Sequence, residues 1–124
     1  MNHCRLNESE LRDKSHFPVL MVMNMISEKR FLTVLEAISQ GNGFGEEYGA
    51  CTFPDDLDEF DKANGETLDG IEFGLHSGDE IVIDFRTFYY YLNIVCNKFL
   101  KTNSEQTDKV NELLENYTNK FLGE

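Results

Sequence analysis

Between residues 27 and 40 the apolar positions are Phe31, Val34, Leu35 and Ile38, the spacing of a single helical face. Ser27 stands where a hydroxyl can cap the first turn and Gly41 where a chain can leave a helix, so a helix is predicted over 28–39. The same period recurs at Phe88, Tyr91, Leu92, Val95 and Phe99, giving a helix over 86–100 with Asp84 placed as its cap. Val110, Leu113, Leu114, Tyr117 and Phe121 repeat it in a last helix over 104–121, with Thr102 or Ser104 ahead of it as cap. Residues 17–26 are apolar without a clear period, and Pro18 is acceptable only in a first turn, so this run is read as a helix with a strand as the alternative.

Period two appears in one place. Ile71, Phe73 and Leu75 alternate with Glu72 and Gly74, Ile81 and Ile83 alternate with Val82 and Asp84, and HSGD between them supplies turn residues. A hairpin over 70–84 follows, and YGACTFP reads as a further short strand ended by Pro54. The expected fold is α+β: a small antiparallel sheet with a central hairpin, packed against about four helices. A chain of 124 residues makes a single domain over 1–124, with the polar residues 1–15 as a candidate flexible end.

Charge changes this picture most. The formal net charge is -12, which disfavours nucleic acid and anionic membrane as partners. From Glu46 to Asp84 there are 13 acidic residues and one basic residue, Lys62, whereas the rest of the chain carries 10 of each sign. The imbalance therefore belongs to one third of the sequence. No apolar run approaches the roughly 20 residues that span a bilayer, and no secretion signal is recognised. Three cysteines, Cys4, Cys51 and Cys96, suit neither a disulfide framework nor a metal knuckle, so reduced thiols in a cytoplasm are expected. Cys51 and Cys96 fall in a predicted strand and helix and are read as small buried hydrophobes.

Candidate chemistry is sparse. The loop DDLDEFDKANGE is rich in the oxygen ligands calcium prefers, yet from Asp56 the EF-hand pattern meets Phe60 and Asp61 at its fifth and sixth positions and fails. His76 stands beside Ser77 and Asp79 in a predicted turn, where turn geometry accounts for all three. Gly41, Gly43, Gly45 and Gly49 suggest a phosphate loop, but Glu46 and Glu47 follow instead of a cation. These glycines are read as permitting close packing beneath Phe44 and Tyr48. No catalytic residue, metal site or cofactor is predicted, and a metal-dependent enzyme or calcium buffer ranks last among the function classes.

What remains is a binding surface. The acidic segment is interleaved with Phe53, Leu57, Phe60, Leu68 and Phe73, and acids around aromatic anchors suit docking on a basic protein. The residues expected to meet Lys and Arg of a partner are Asp55, Asp56, Asp58, Glu59 and Asp61, helped by Glu66, Asp69, Glu72, Asp79 and Glu80. In the run FYYYL, Tyr91 joins the buried face while Tyr89 and Tyr90 point to the flanks, so either could add an aromatic anchor.

The pieces GFG, FPDDLD, IEFGL, EIVID and FYYYL with its later Cys96 resemble immunity proteins of bacterial contact-dependent growth inhibition systems, in the group paired with ribonuclease toxins. The resemblance spans roughly residues 27–122. It implies a non-enzymatic cytoplasmic protein that binds the C-terminal ribonuclease domain of the cognate toxin and covers its basic, RNA-binding active-site cleft. A ribonuclease binds a polyanion, and an acidic protein can fill such a cleft by imitating the charge of RNA. The alternative is an acidic adaptor or regulator that binds another basic protein.

Overall fold

The computed structural model of the chain describes residues 5–56 and 70–123. Four strands, β1 (Phe44–Glu46), β2 (Gly49–Thr52), β3 (Ile71–Leu75) and β4 (Glu80–Ile83), form one antiparallel sheet in sequential order. Four helices, α1 (Phe17–Met25), α2 (Glu28–Ser39), α3 (Phe85–Thr102) and α4 (Thr107–Tyr117), complete the α+β architecture. Among the described residues no helix is long and apolar enough to cross a membrane.

Local chemistry accounts for most boundaries. The Ser27 side chain accepts from the Arg30 amide to start α2, and Gly41, at φ 82, takes the left-handed conformation just past its end. Asp84 accepts from the Thr87 amide to start α3, and hydrogen bonding by Thr87, the amide first, holds its carboxyl below the usual carboxylate range. The hairpin turn closes with the Gly78 amide donating to Leu75 O (2.9 Å) and the Leu75 amide to Asp79 O (2.8 Å), with Gly78 at φ 106. That pattern is a turn followed by a glycine bulge, a geometry a residue with a Cβ strains to adopt.

Three expectations are corrected. α4 begins at Thr107 after a 3-10 turn over Ser104–Gln106, without the side-chain cap expected from Thr102 or Ser104, and a π-helical turn over Thr118–Leu122 extends it. β1 went unpredicted because three residues, Phe44, Gly45 and Glu46, are too few to show alternation. Phe53 and Phe73, read as anchors for a partner, are fully buried, at 0% exposure each.

All four helices lie on one face of the sheet. Ile71, Phe73 and Ile83 point into that layer and are buried, and Phe73 meets Phe88 of α3 at 5.2 Å. α1 packs across β2, β3 and β4 and is apolar nearly all round, as a helix enclosed on its sides must be. Absence of a polar face is the reason its periodicity was unreadable. An aromatic chain through Phe53, Phe85, Phe121 and Tyr117 joins the sheet to the C-terminal helices, and the Tyr117 hydroxyl donates to Phe85 O at 2.7 Å.

The segment ahead of α1 is held from Arg5 onward. Asn24 accepts from the amides of Arg5 (2.9 Å) and Leu6 (3.0 Å) and donates to Leu6 O (3.0 Å). The Arg5 guanidinium, itself buried, donates to Met23 O and Ile26 O at the end of α1 and to Glu28 at the start of α2, and lies 4.7 Å from the Phe31 ring centroid. These bonds fasten both ends of the α1–α2 junction to one residue.

Replacement of Asn24 by Leu leaves two buried amides and a carbonyl without partners, so Asn24→Leu is expected to destabilise the fold by roughly 2 to 4 kcal/mol. Equilibrium urea unfolding with an unchanged slope measures it, and a loss under about 0.5 kcal/mol would contradict this role. Burial also raises Cys51 well above the ordinary thiol range and pushes Cys96 up to about 12, with the Arg5 charge opposing the latter shift. Since the thiolate is the reactive form, iodoacetamide at mildly alkaline pH should leave Cys51 and Cys96 unlabelled in the folded protein and label both in denaturant, as read by peptide mass spectrometry.

Candidate protein-binding surface

The acidic segment divides between the sheet and residues outside the described structure. Asp58, Glu59, Asp61, Glu66 and Asp69 lie outside the described residues. Asp55 and Asp56 belong to a 3-10 turn, Pro54–Asp56, directly after β2. The Asp56 carboxylate accepts from the Gly43 amide at 2.9 Å and the Phe53 amide at 2.6 Å, so it clamps the entry to β1 against the exit of β2. Reversing its charge would break that clamp, which makes Asp56 a poor probe of association alone.

Glu72 stands in β3, and Asp79 and Glu80 stand where the β3–β4 turn enters β4. Asp79 accepts from Ser77 Oγ at 3.0 Å, and the His76 amide donates to Tyr48 O at 2.8 Å, so His76, Ser77 and Asp79 tie two turns together. Among the described residues Glu72 and Glu80 have no basic partner, whereas Glu46, on the helix side of β1, pairs with Arg30 of α2. Nor do three His, Cys, Asp or Glu side chains converge among the described residues where a metal could be held.

Tyr89 and Tyr90 are half-buried, and both rings have partners within the chain. Tyr89 stacks on Tyr117 at 5.9 Å with planes 7° apart. The Tyr90 hydroxyl donates to Glu10 O at 3.1 Å, and the Arg12 guanidinium lies 4.1 Å from its ring centroid. Tyr91 is buried as expected, its hydroxyl accepting from the Arg12 amide and lying 2.7 Å from His16 Nδ1. Among the described residues the exposed large apolar side chains are instead Tyr48 (61%), Val82 (45%) and Phe17 (40%). None was singled out as a contact, although Tyr48 lies beside Glu47 and Val82 follows Glu80 by two positions on the same strand.

Charge separates by layer. Residues 44–56 and 70–84, which contain the strands and their described turns, hold eight acidic side chains and no basic one. All ten described basic residues belong to the segment ahead of α1, the helices or the C-terminal turn, where a similar number of acids balances them. The sheet segments therefore carry an acidic excess and the helical ones are close to neutral, although Glu46 pairs with Arg30 and Lys14 lines a cleft with Asp79 and Glu80.

The family model described as CDI immunity protein matches residues 13–114, most of the chain. No curated protein matches it. Among solved structures, the fold is similar to that of the immunity protein NMB0503 from Neisseria meningitidis MC58, with a TM-score of 0.66 and 19% identity, covering 94% of this chain and 98% of that one. At that identity the likeness speaks for the fold alone, and the family match carries the assignment. With four helices on one face of a four-stranded sheet and the family's pattern running through α1 to α4, the chain belongs to the CDI immunity protein family.

Proposed function

We propose that this chain is a non-enzymatic, cytoplasmic inhibitor that binds the C-terminal ribonuclease domain of a cognate contact-dependent inhibition toxin and covers its basic, RNA-binding cleft. The observation that carries this reading is the separation of charge by layer. The sheet segments carry eight acids and no base, and although Glu46 is paired with Arg30, the remaining acidic excess steers a cationic partner and raises its association rate. A ribonuclease offers such a partner, because its substrate is a polyanion. Family membership supports the toxin-binding role, the charge favours a toxin whose substrate is a polyanion, and the sequence resemblance favours a ribonuclease among these.

Titrating the purified chain into the toxin domain encoded beside it, with RNA cleavage followed throughout, tests the proposal. Cleavage is expected to stop at one equivalent, with the association rate falling roughly tenfold or more as salt rises from low to physiological strength. A stable complex that leaves RNA cleavage intact would overturn occupancy of the cleft and point to an adaptor. A toxin that instead cuts DNA or forms pores would overturn the ribonuclease assignment.

A further inference from the structure

Among the described residues no helix packs on the face of the sheet turned away from the helical layer, and the 3-10 turn Lys14–His16 lies against the edge strand β4, where Lys14 lines a cleft with Asp79 and Glu80. The pairing register divides that face into two rows running across the strands: Gly45, Ala50, Gly74 and Glu80 in one, and Thr52, Glu72 and Val82 in the other. A water-facing sheet surface ordinarily bears polar side chains that shield the ladder. Here three successive positions of the first row carry at most a methyl group, so the backbone of β1, β2 and β3 is bare.

The fold does not demand glycine there. At Gly43 a Cβ would lie 2.0 Å from Cys51 O, and at Gly49 it would lie 2.8 Å from Gly74 O, so those two glycines are needed for packing. At Gly45 a Cβ would meet nothing within 4 Å, and at Gly74 it would meet only Glu80 Cβ, at an ordinary 3.8 Å. Neither has a positive φ. Glycine weakens a strand interior, and one of the reasons it is found there is close approach by a ligand or another backbone. Among the described strand residues the charged groups on the face are the carboxylates Glu72 and Glu80, and the exposed Val82 completes its apolar part.

We propose that this open face is where the cationic surface of the toxin docks. Arginine and lysine side chains of the toxin lie across Gly45, Ala50 and Gly74, their apolar stems against bare backbone and their charged heads at Glu72 and Glu80. Val82 supplies the adjoining apolar contact. The inference rests on the function proposed above and narrows it to one face of the molecule.

The test replaces Gly45 and Gly74 together by Val, which favours strands and would fill the face. The Gly45→Val/Gly74→Val chain is expected to melt at the same temperature as the parent or higher, yet to bind the purified toxin domain at least roughly tenfold more weakly by calorimetry. It should also fail to stop RNA cleavage at one equivalent. Val82→Arg, which spares both glycines, is expected to weaken binding likewise and decides the matter should the double variant fold poorly. Glu115→Arg, a charge reversal on α4, is the control and should bind as the parent does. Parent-level affinity in Val82→Arg and in the folded double variant would overturn the docking face while leaving inhibition intact, whereas failure of the unaltered chain to bind the toxin would overturn the proposed function and the docking face together.

Discussion

The sheet buries one face only, and the rest of the molecule is arranged around that constraint. Alternation along β2, β3 and β4 sends Cys51, Ile71, Phe73 and Ile83 to the helices and leaves Ala50, Thr52, Glu72, Gly74, Glu80 and Val82 on the other side. Because α1 lies on the inner face, it can be apolar nearly all round, while α2, α3 and α4 keep polar faces outward. Acids on the open face keep their water and cost no desolvation, whereas the one sheet acid turned inward, Glu46, needs Arg30 beside it.

Features set by neighbours in sequence were legible, and those set by distant segments were not. Ser27 and Gly41 bracket α2, Asp84 opens α3, and Gly78 closes the hairpin, each through bonds spanning a few residues. α1 was ambiguous because burial erased its period, and β1 was missed because it is short. The acidic segment was legible as a block, but composition could not say which of its aromatics face the core, so Phe53 and Phe73 were read as anchors. The glycines show the same limit. Gly43 and Gly49 are closely packed, but against Cys51 O and Gly74 O rather than beneath Phe44 and Tyr48, Gly45 is not crowded at all, and only the register reveals that Gly45 and Gly74 share the outer face.

The N-terminal segment shows how much of the surface is decided at long range. Arg5 bonds to residues 18 to 23 positions away, and through them it fixes the angle between α1 and α2. Glu10 and Arg12 then reach α3, where they cover Tyr90 through a hydroxyl bond and a stacked guanidinium. Two adjacent tyrosines that helical geometry sends to the flanks therefore end with partners of their own. Their amphipathic rings seal the edge of the core with the hydroxyl at the wet boundary, as tyrosine is suited to do.

Uneven charge has an energetic consequence for a protein built this way. Like charges on one face repel across distances comparable to the roughly 8 Å screening length at physiological salt, so the sheet side carries a small standing strain in the free protein. Opposite charge arriving from a partner removes that strain as well as adding attraction, and the helical layer, close to neutral, neither competes for the partner nor repels it. Because Glu72 and Glu80 sit on the strand ladder, their spacing is set before a partner arrives and little ordering entropy is lost on contact. Fast capture and a preformed surface are the two properties a toxin-binding protein needs when each unbound toxin molecule can damage the cell.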